Sequence, residues 1–158
     1  MTNSNVFEVN VVDLPEMLMI GLPVNVAFKH GDFGKIGRNK EEFDRRLVEI
    51  PNAVNREEYY APWFNCEVMF TYFYCLQVRS LEHIPEGMMG FSIPARRYLR
   101  TEYDGPHPMG SDPYEILKQY REEHGINHSK DAMVLEKYRF ADDGREGKIV
   151  LTVFGPIE

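Results

Sequence analysis

Two helix-like stretches that begin about 70 residues apart, each set among strand-like runs, constrain this chain more than any other feature. In the first, from Gly37 or Asn39 onward, Phe43, Leu47 and Ile50 recur at helical spacing among Glu41, Glu42, Asp44, Arg45 and Arg46. Asn39 is a suitable cap, and Pro51 stops the pattern. The second opens at Ser111 or Asp112, has Pro113 in its first turn, carries Tyr114, Leu117 and Tyr120 along one side, and ends at Gly125. Strand-like runs surround both: Val6 to Val12, Met17 to Phe28 with a break near Gly21 and Pro23, Cys66 to Val78, and Met88 to Leu99 kinked at Pro94. Between Asn52 and Pro62 the chain reads as a polar connection. Ala132 to Phe140 and Lys148 to Phe154 read as a hairpin about the turn from Ala141 to Gly147. Laid end to end the order is strand, helix, strand, then strand, helix, strand, strand, which reads as two copies of one strand-helix-strand-strand unit. It predicts an α+β fold: one domain over 1–158 with halves near 1–80 and 81–158, an antiparallel sheet, and two helices on one face. A ligand is then expected in the crease where the halves meet.

Size and composition agree with a self-sufficient core. A domain of about 150 residues buries about 68–70% of its unfolded surface without staples, and 43% of these 158 residues are hydrophobic. Apolar runs such as Val68-Met69-Phe70 fall far short of the ~20 residues a membrane helix needs. The amino terminus has no basic or apolar leader, so the expected location is the cytoplasm. Cys66 and Cys75, read as members of one strand on opposite faces, are expected to be reduced. The net charge of −7 argues against direct nucleic-acid binding, which draws its affinity from Lys and Arg on phosphates, and suits a cationic partner better. Nine Tyr and ten Phe exceed what a plain core needs, and Tyr favours sites apolar at one end and wet at the other.

Ile84-Pro85-Glu86-Gly87-Met88, Ile93-Pro94-Ala95-Arg96-Arg97-Tyr98 and Leu135-Glu136-Lys137-Tyr138 resemble three short motifs of the gyrase-inhibitor-like effector-binding domains, in the same order and at similar intervals. The likeness runs from Leu14-Pro15-Glu16-Met17 to Gly155-Pro156-Ile157. It implies a stand-alone effector domain without a DNA-binding module. Its expected work is to bind or sense a small apolar ligand of lipophilic-cation type; the alternatives are a small-molecule hydrolase and a protein-interaction module acting on gyrase or a regulator. The chain lacks the tryptophans that the family carries on its helices, at Lys40 to Phe43 and at Tyr120.

Within that resemblance Glu136 matches the family's buried carboxylate. By strand alternation it faces the same way as Val134 and Tyr138, and a carboxylate on an apolar face costs several kcal/mol unless it is paired or protonated. A ligand cation is one partner, an internal Lys or Arg another. Tyr98 and Tyr72 on strands, Trp63 at a rim, Tyr138 and Tyr120 complete the expected ligand-binding set, each with core or surface packing as the alternative. Were the chain an enzyme, Glu136 would act as general base with Tyr98 or Tyr72 orienting the substrate. No metal and no cofactor are expected. His124 and His128 are split by Gly125 and lack a third ligand nearby, Gly31 to Lys35 lacks the spacing of a phosphate loop, and His83 or His30 is a poor case for haem.

Overall fold

The computed structural model describes residues 7–158, and the chain divides into two units, Pro15–Ala95 and Met1–Leu14 with Arg96–Glu158. The division falls after Ala95 instead of near residue 80, because Pro94 and Ala95 separate two strands where the sequence suggests one kinked strand.

In the unit Pro15–Ala95 the elements are β2 (Met17–Ala27), α1 (Gly34–Arg45), β3 (Glu58–Asn65), β4 (Met69–Val78) and β5 (Met89–Ile93); β1 (Asn10–Leu14) precedes them in the other unit. All neighbouring strands are antiparallel, in the order β3-β4-β2-β5. β2 runs unbroken through Gly21 and Pro23. Gly21 is needed there, since a Cβ at that position would stand 1.9 Å from the Tyr74 carbonyl oxygen on the next strand. α1 begins earlier than expected and has no side-chain cap at its first residue; Asp32 Oδ1 instead accepts the Gly34 N–H at 3.0 Å. Asn39 is no cap but lies inside the helix, where its amide donates to the Leu22 carbonyl at 2.8 Å and ties α1 to β2. Phe43 on α1 is fully buried, as is Ile50 beyond the short 3-10 turn Leu47–Glu49.

β3 corrects the reading of Asn52 to Pro62 as a connection. Its polar start and Pro62 disguise a strand whose Tyr59, Tyr60 and Ala61 are buried. β4 is shorter than the run from Cys66: Cys66 sits exposed in the turn, where its N–H bonds the Met69 carbonyl, while Cys75 is buried in β4. The two cysteines therefore occupy different elements, not one strand.

The other unit contains β1, β6 (Arg96–Pro106), α2 (Pro113–His124), β7 (Val134–Asp143) and β8 (Lys148–Pro156). Its strands are antiparallel in the order β1-β6-β8-β7. Val6, counted above as the start of the first strand, lies outside the described residues. α2 has the predicted ends. Asp112 Oδ1 accepts the Tyr114 N–H at 2.9 Å, Pro113 occupies the first turn, and Gly125 closes the helix in the left-handed conformation at φ 63°. The helix lies against β6 and β8, where Leu117 reaches over Gly155; a Cβ on Gly155 would meet Leu117 Cδ1 at 3.5 Å. Leu99, Leu117, Leu135 and Val153 are buried to 1% exposure or less and form the core.

The α+β class therefore stands. β2-α1-β3-β4 and β6-α2-β7-β8 are two runs of strand, helix, strand, strand, each completed by one further antiparallel strand.

A carboxylate held by two tyrosines

Strand register decides which side chains share the α2 side of the second unit. Glu136 pairs with Val153, and Val153 with Thr101, so these three form one row; Tyr138, Leu151 and Tyr103 form the next. Gly155, over which Leu117 lies, is on the same face. Glu136 is thus an acidic residue beside the buried Val153 beneath a helix, and only 8% of it is exposed.

Two hydroxyls meet it. Tyr138 donates to Oε1 at 2.6 Å, and Tyr114 donates to Oε2. Tyr138 arrives by strand alternation, two residues along β7. Tyr114 arrives from the first turn of α2, its backbone fixed by the Asp112 cap and its direction by the anchorage of Leu117 three residues on. Hydrogen bonds to an ionised group contribute about 1.5–3 kcal/mol each, so the pair offsets much of the several kcal/mol that burying a carboxylate costs. The result is an acceptor with aromatic faces beside it, a combination suited to a soft cation.

Of the expected site residues, Glu136 and Tyr138 come together and Tyr114 joins them. The sequence pattern places Tyr114 only with Leu117 and Tyr120 along one side of its helix. The one signal for more was its place right after a capping residue and Pro113, where a long side chain has a fixed direction. Tyr98 does not join the cluster. It pairs with Pro156, and the neighbouring pair on that face is Arg100 with Phe154, so Tyr98 stands on the sheet face opposite Glu136, 1% exposed and edge-on to Phe154 at 6.1 Å between centroids. Burial raises the pKa of its hydroxyl above the usual phenol value. Tyr120 stacks on His124 at 4.0 Å, half-exposed near the end of α2.

Tyr72 and Trp63 belong to the first unit, where they are direct cross-strand partners on β4 and β3. Trp63 is therefore a strand residue, not a loop residue ahead of a strand. Tyr72 meets Tyr74 edge-on at 5.3 Å, and Phe43 of α1 lies 6.0 Å from both Tyr74 and Tyr59. Lys40, ion-paired to Asp44 at 2.8 Å, rests its ammonium 4.8 Å over the Tyr59 ring. The α1 face of this unit is thus an aromatic array that already accommodates one cation. Among the described residues no three His, Cys, Asp or Glu side chains come together as a metal site, and no helix is long and apolar enough to cross a membrane.

Residues 10–153 match the Cass2 family model, described as integron-associated effector binding protein. The chain belongs to this family. The match agrees with the gyrase-inhibitor-like resemblance carried by the three motifs. SAV2435, solved with tetraphenylphosphonium, superposes with a TM-score of 0.74 at 14% identity, covering 96% of this chain and 94% of that one. The integron cassette protein VCH_CASS2 of Vibrio cholerae gives 0.63 at 13% identity, with 95% of each chain covered. EcmrR in its DNA complex gives 0.73 at 16% identity and 96% of this chain, which spans only 57% of the EcmrR chain. These identities carry the fold alone. No curated protein matches the chain by sequence.

Proposed function

We propose that this effector-binding domain takes up a small, lipophilic, cationic molecule at Glu136. The observation that carries this reading is the convergence of two tyrosine hydroxyls on one buried carboxylate. Tyrosines holding a carboxylate give it direction, and a ligand cation interacts with both the acceptor and the ring faces. The tetraphenylphosphonium bound by SAV2435, a protein of the same fold, supplies the ligand chemistry. The hydrolytic alternative loses one of its parts, because Tyr98 is on the other face of the sheet from Glu136.

The direct test is charge selection at constant shape. Tetraphenylphosphonium and tetraphenylborate have nearly the same size and opposite charge. Calorimetric titration is expected to show saturable binding of the phosphonium at least about tenfold tighter than the borate, a difference of about 1.4 kcal/mol. Equal affinity for the two ions would overturn the reading.

A further inference from the structure

Tyr103 occupies the row beside the Glu136 row and is 5% exposed, yet the binding chemistry described so far makes no use of it. Its ring lies back along its own strand over Gly105, where a Cβ would stand 3.0 Å from the phenolic oxygen and 3.2 Å from Cζ. The glycine leaves room for the ring and lets the hydroxyl reach the end of β6. There the hydroxyl donates to the Pro106 carbonyl at 2.7 Å and accepts the Gly110 N–H at 3.3 Å. One hydroxyl thereby ties the middle of the loop between β6 and α2 to the strand that the loop leaves. Asp112 and Tyr114 follow Gly110 by two and four residues, the first capping α2 and the second donating to Glu136. On its other side Tyr103 is stacked by Phe7 at 6.2 Å between centroids, while the buried Thr101 hydroxyl donates to the Glu8 carbonyl at 3.0 Å. Phe7 and Glu8, just ahead of β1, are thus fastened to the sheet face that carries Glu136.

We propose that Tyr103 is a positioning residue for the Glu136 site: through the 107–112 loop it sets where the Tyr114 hydroxyl sits, and through its stack on Phe7 it makes the residues just ahead of β1 part of that support. A contact chain of this kind transmits only if its links respond together. The claim about ligand affinity rests on the function proposed above; the claim about Tyr114 does not.

The experiment therefore has a ligand-free arm and a ligand arm. Tyr103→Phe keeps the ring stack with Phe7 and removes only the hydroxyl; Gly105→Ala keeps the hydroxyl and displaces it. In protein labelled with 13C at the tyrosine Cζ, with the Tyr114 resonance assigned by its loss in Tyr114→Phe, both variants are expected to move that resonance toward the value of a solvated tyrosine. Phe7→Leu is expected to move it in the same direction by less. Tetraphenylphosphonium should bind Tyr103→Phe about three- to tenfold more weakly than wild type, within the range that supporting-network substitutions produce. In a Tyr114→Phe background the same substitution should have no further effect, since its route is already cut. An unmoved Tyr114 resonance in folded Tyr103→Phe and Gly105→Ala would overturn the proposal, as would an equal loss of affinity in both backgrounds. If wild type fails to bind tetraphenylphosphonium, the proposed function falls and the resonance still decides the role of Tyr103.

Discussion

Removing one oxygen atom measures how strongly Glu136 depends on its tyrosines. Tyr138→Phe deletes a 2.6 Å hydrogen bond to a carboxylate that is 8% exposed, leaving the ring in place. A charge-assisted bond of this kind contributes about 1.5–3 kcal/mol, and the loss falls on the ionised partner that remains buried. At about 2–4 °C per kcal/mol for a chain of this size, the melting temperature should drop by roughly 3–12 °C. Part of that drop could come from the ring environment, so the measurement is a double-mutant cycle in urea with Glu136→Leu as the second change. In the leucine background Tyr138→Phe should cost less than about 0.5 kcal/mol, because the hydroxyl no longer has a charge to serve. A cost that is the same in both backgrounds would show that Tyr138 does not act on Glu136 and would refute the energetic account of the site.

Other outcomes follow from single features of the fold. Gly21→Ala forces a Cβ against the Tyr74 carbonyl and should cost several kcal/mol or prevent folding, whereas Gly37→Ala, on an exposed helix position with nothing within 4 Å, should stabilise by about 0.5–1 kcal/mol in urea melts. Burial, helped by Arg121 and Lys130, lowers the His128 pKa below 6.5, so the unfolded chain takes up a proton there before the folded one does. The His128 contribution is then intact above pH 6.5 and is lost as the pH falls below it; His128→Asn should flatten the stability profile between pH 7 and 5.5, roughly the range around an ordinary histidine. Cys66 should react with a thiol reagent in the native protein, and Cys75, buried with its thiol pKa pushed well above normal, only after unfolding.

The parts legible in the sequence are those set by local chemistry. α2 has a capping aspartate, a first-turn proline and a terminal glycine, and each does locally what it does in the fold. The closing hairpin announces itself through Gly144 and Gly147, both at positive φ. α1 is less legible because its start is capped from Asp32, two residues upstream, while Asn39, which looks like a cap, is spent on a tertiary bond to Leu22. β3 is hidden by Pro62, although the carbonyl and side-chain positions around it still form a strand with β4.

The site was half legible for a related reason. Alternation along β7 put Glu136 and Tyr138 together because both are on one strand. Tyr98 is on β6, and whether it shares their face depends on the register of β6 with β8 and of β8 with β7, information that neither strand contains alone. Tyr114 depends further on how α2 lies on the sheet, which Leu117 and Gly155 settle only in three dimensions.

The proposed function makes Glu136 the residue that selects charge. Its most direct test is the affinity of Glu136→Gln for tetraphenylphosphonium and for neutral triphenylphosphine oxide, measured beside wild type by calorimetry. The substitution keeps the shape and removes the charge. Binding of the phosphonium should weaken at least about tenfold, about 1.4 kcal/mol, while that of the neutral oxide should stay within about twofold. An equal loss for both, or none for the cation, would contradict the claim.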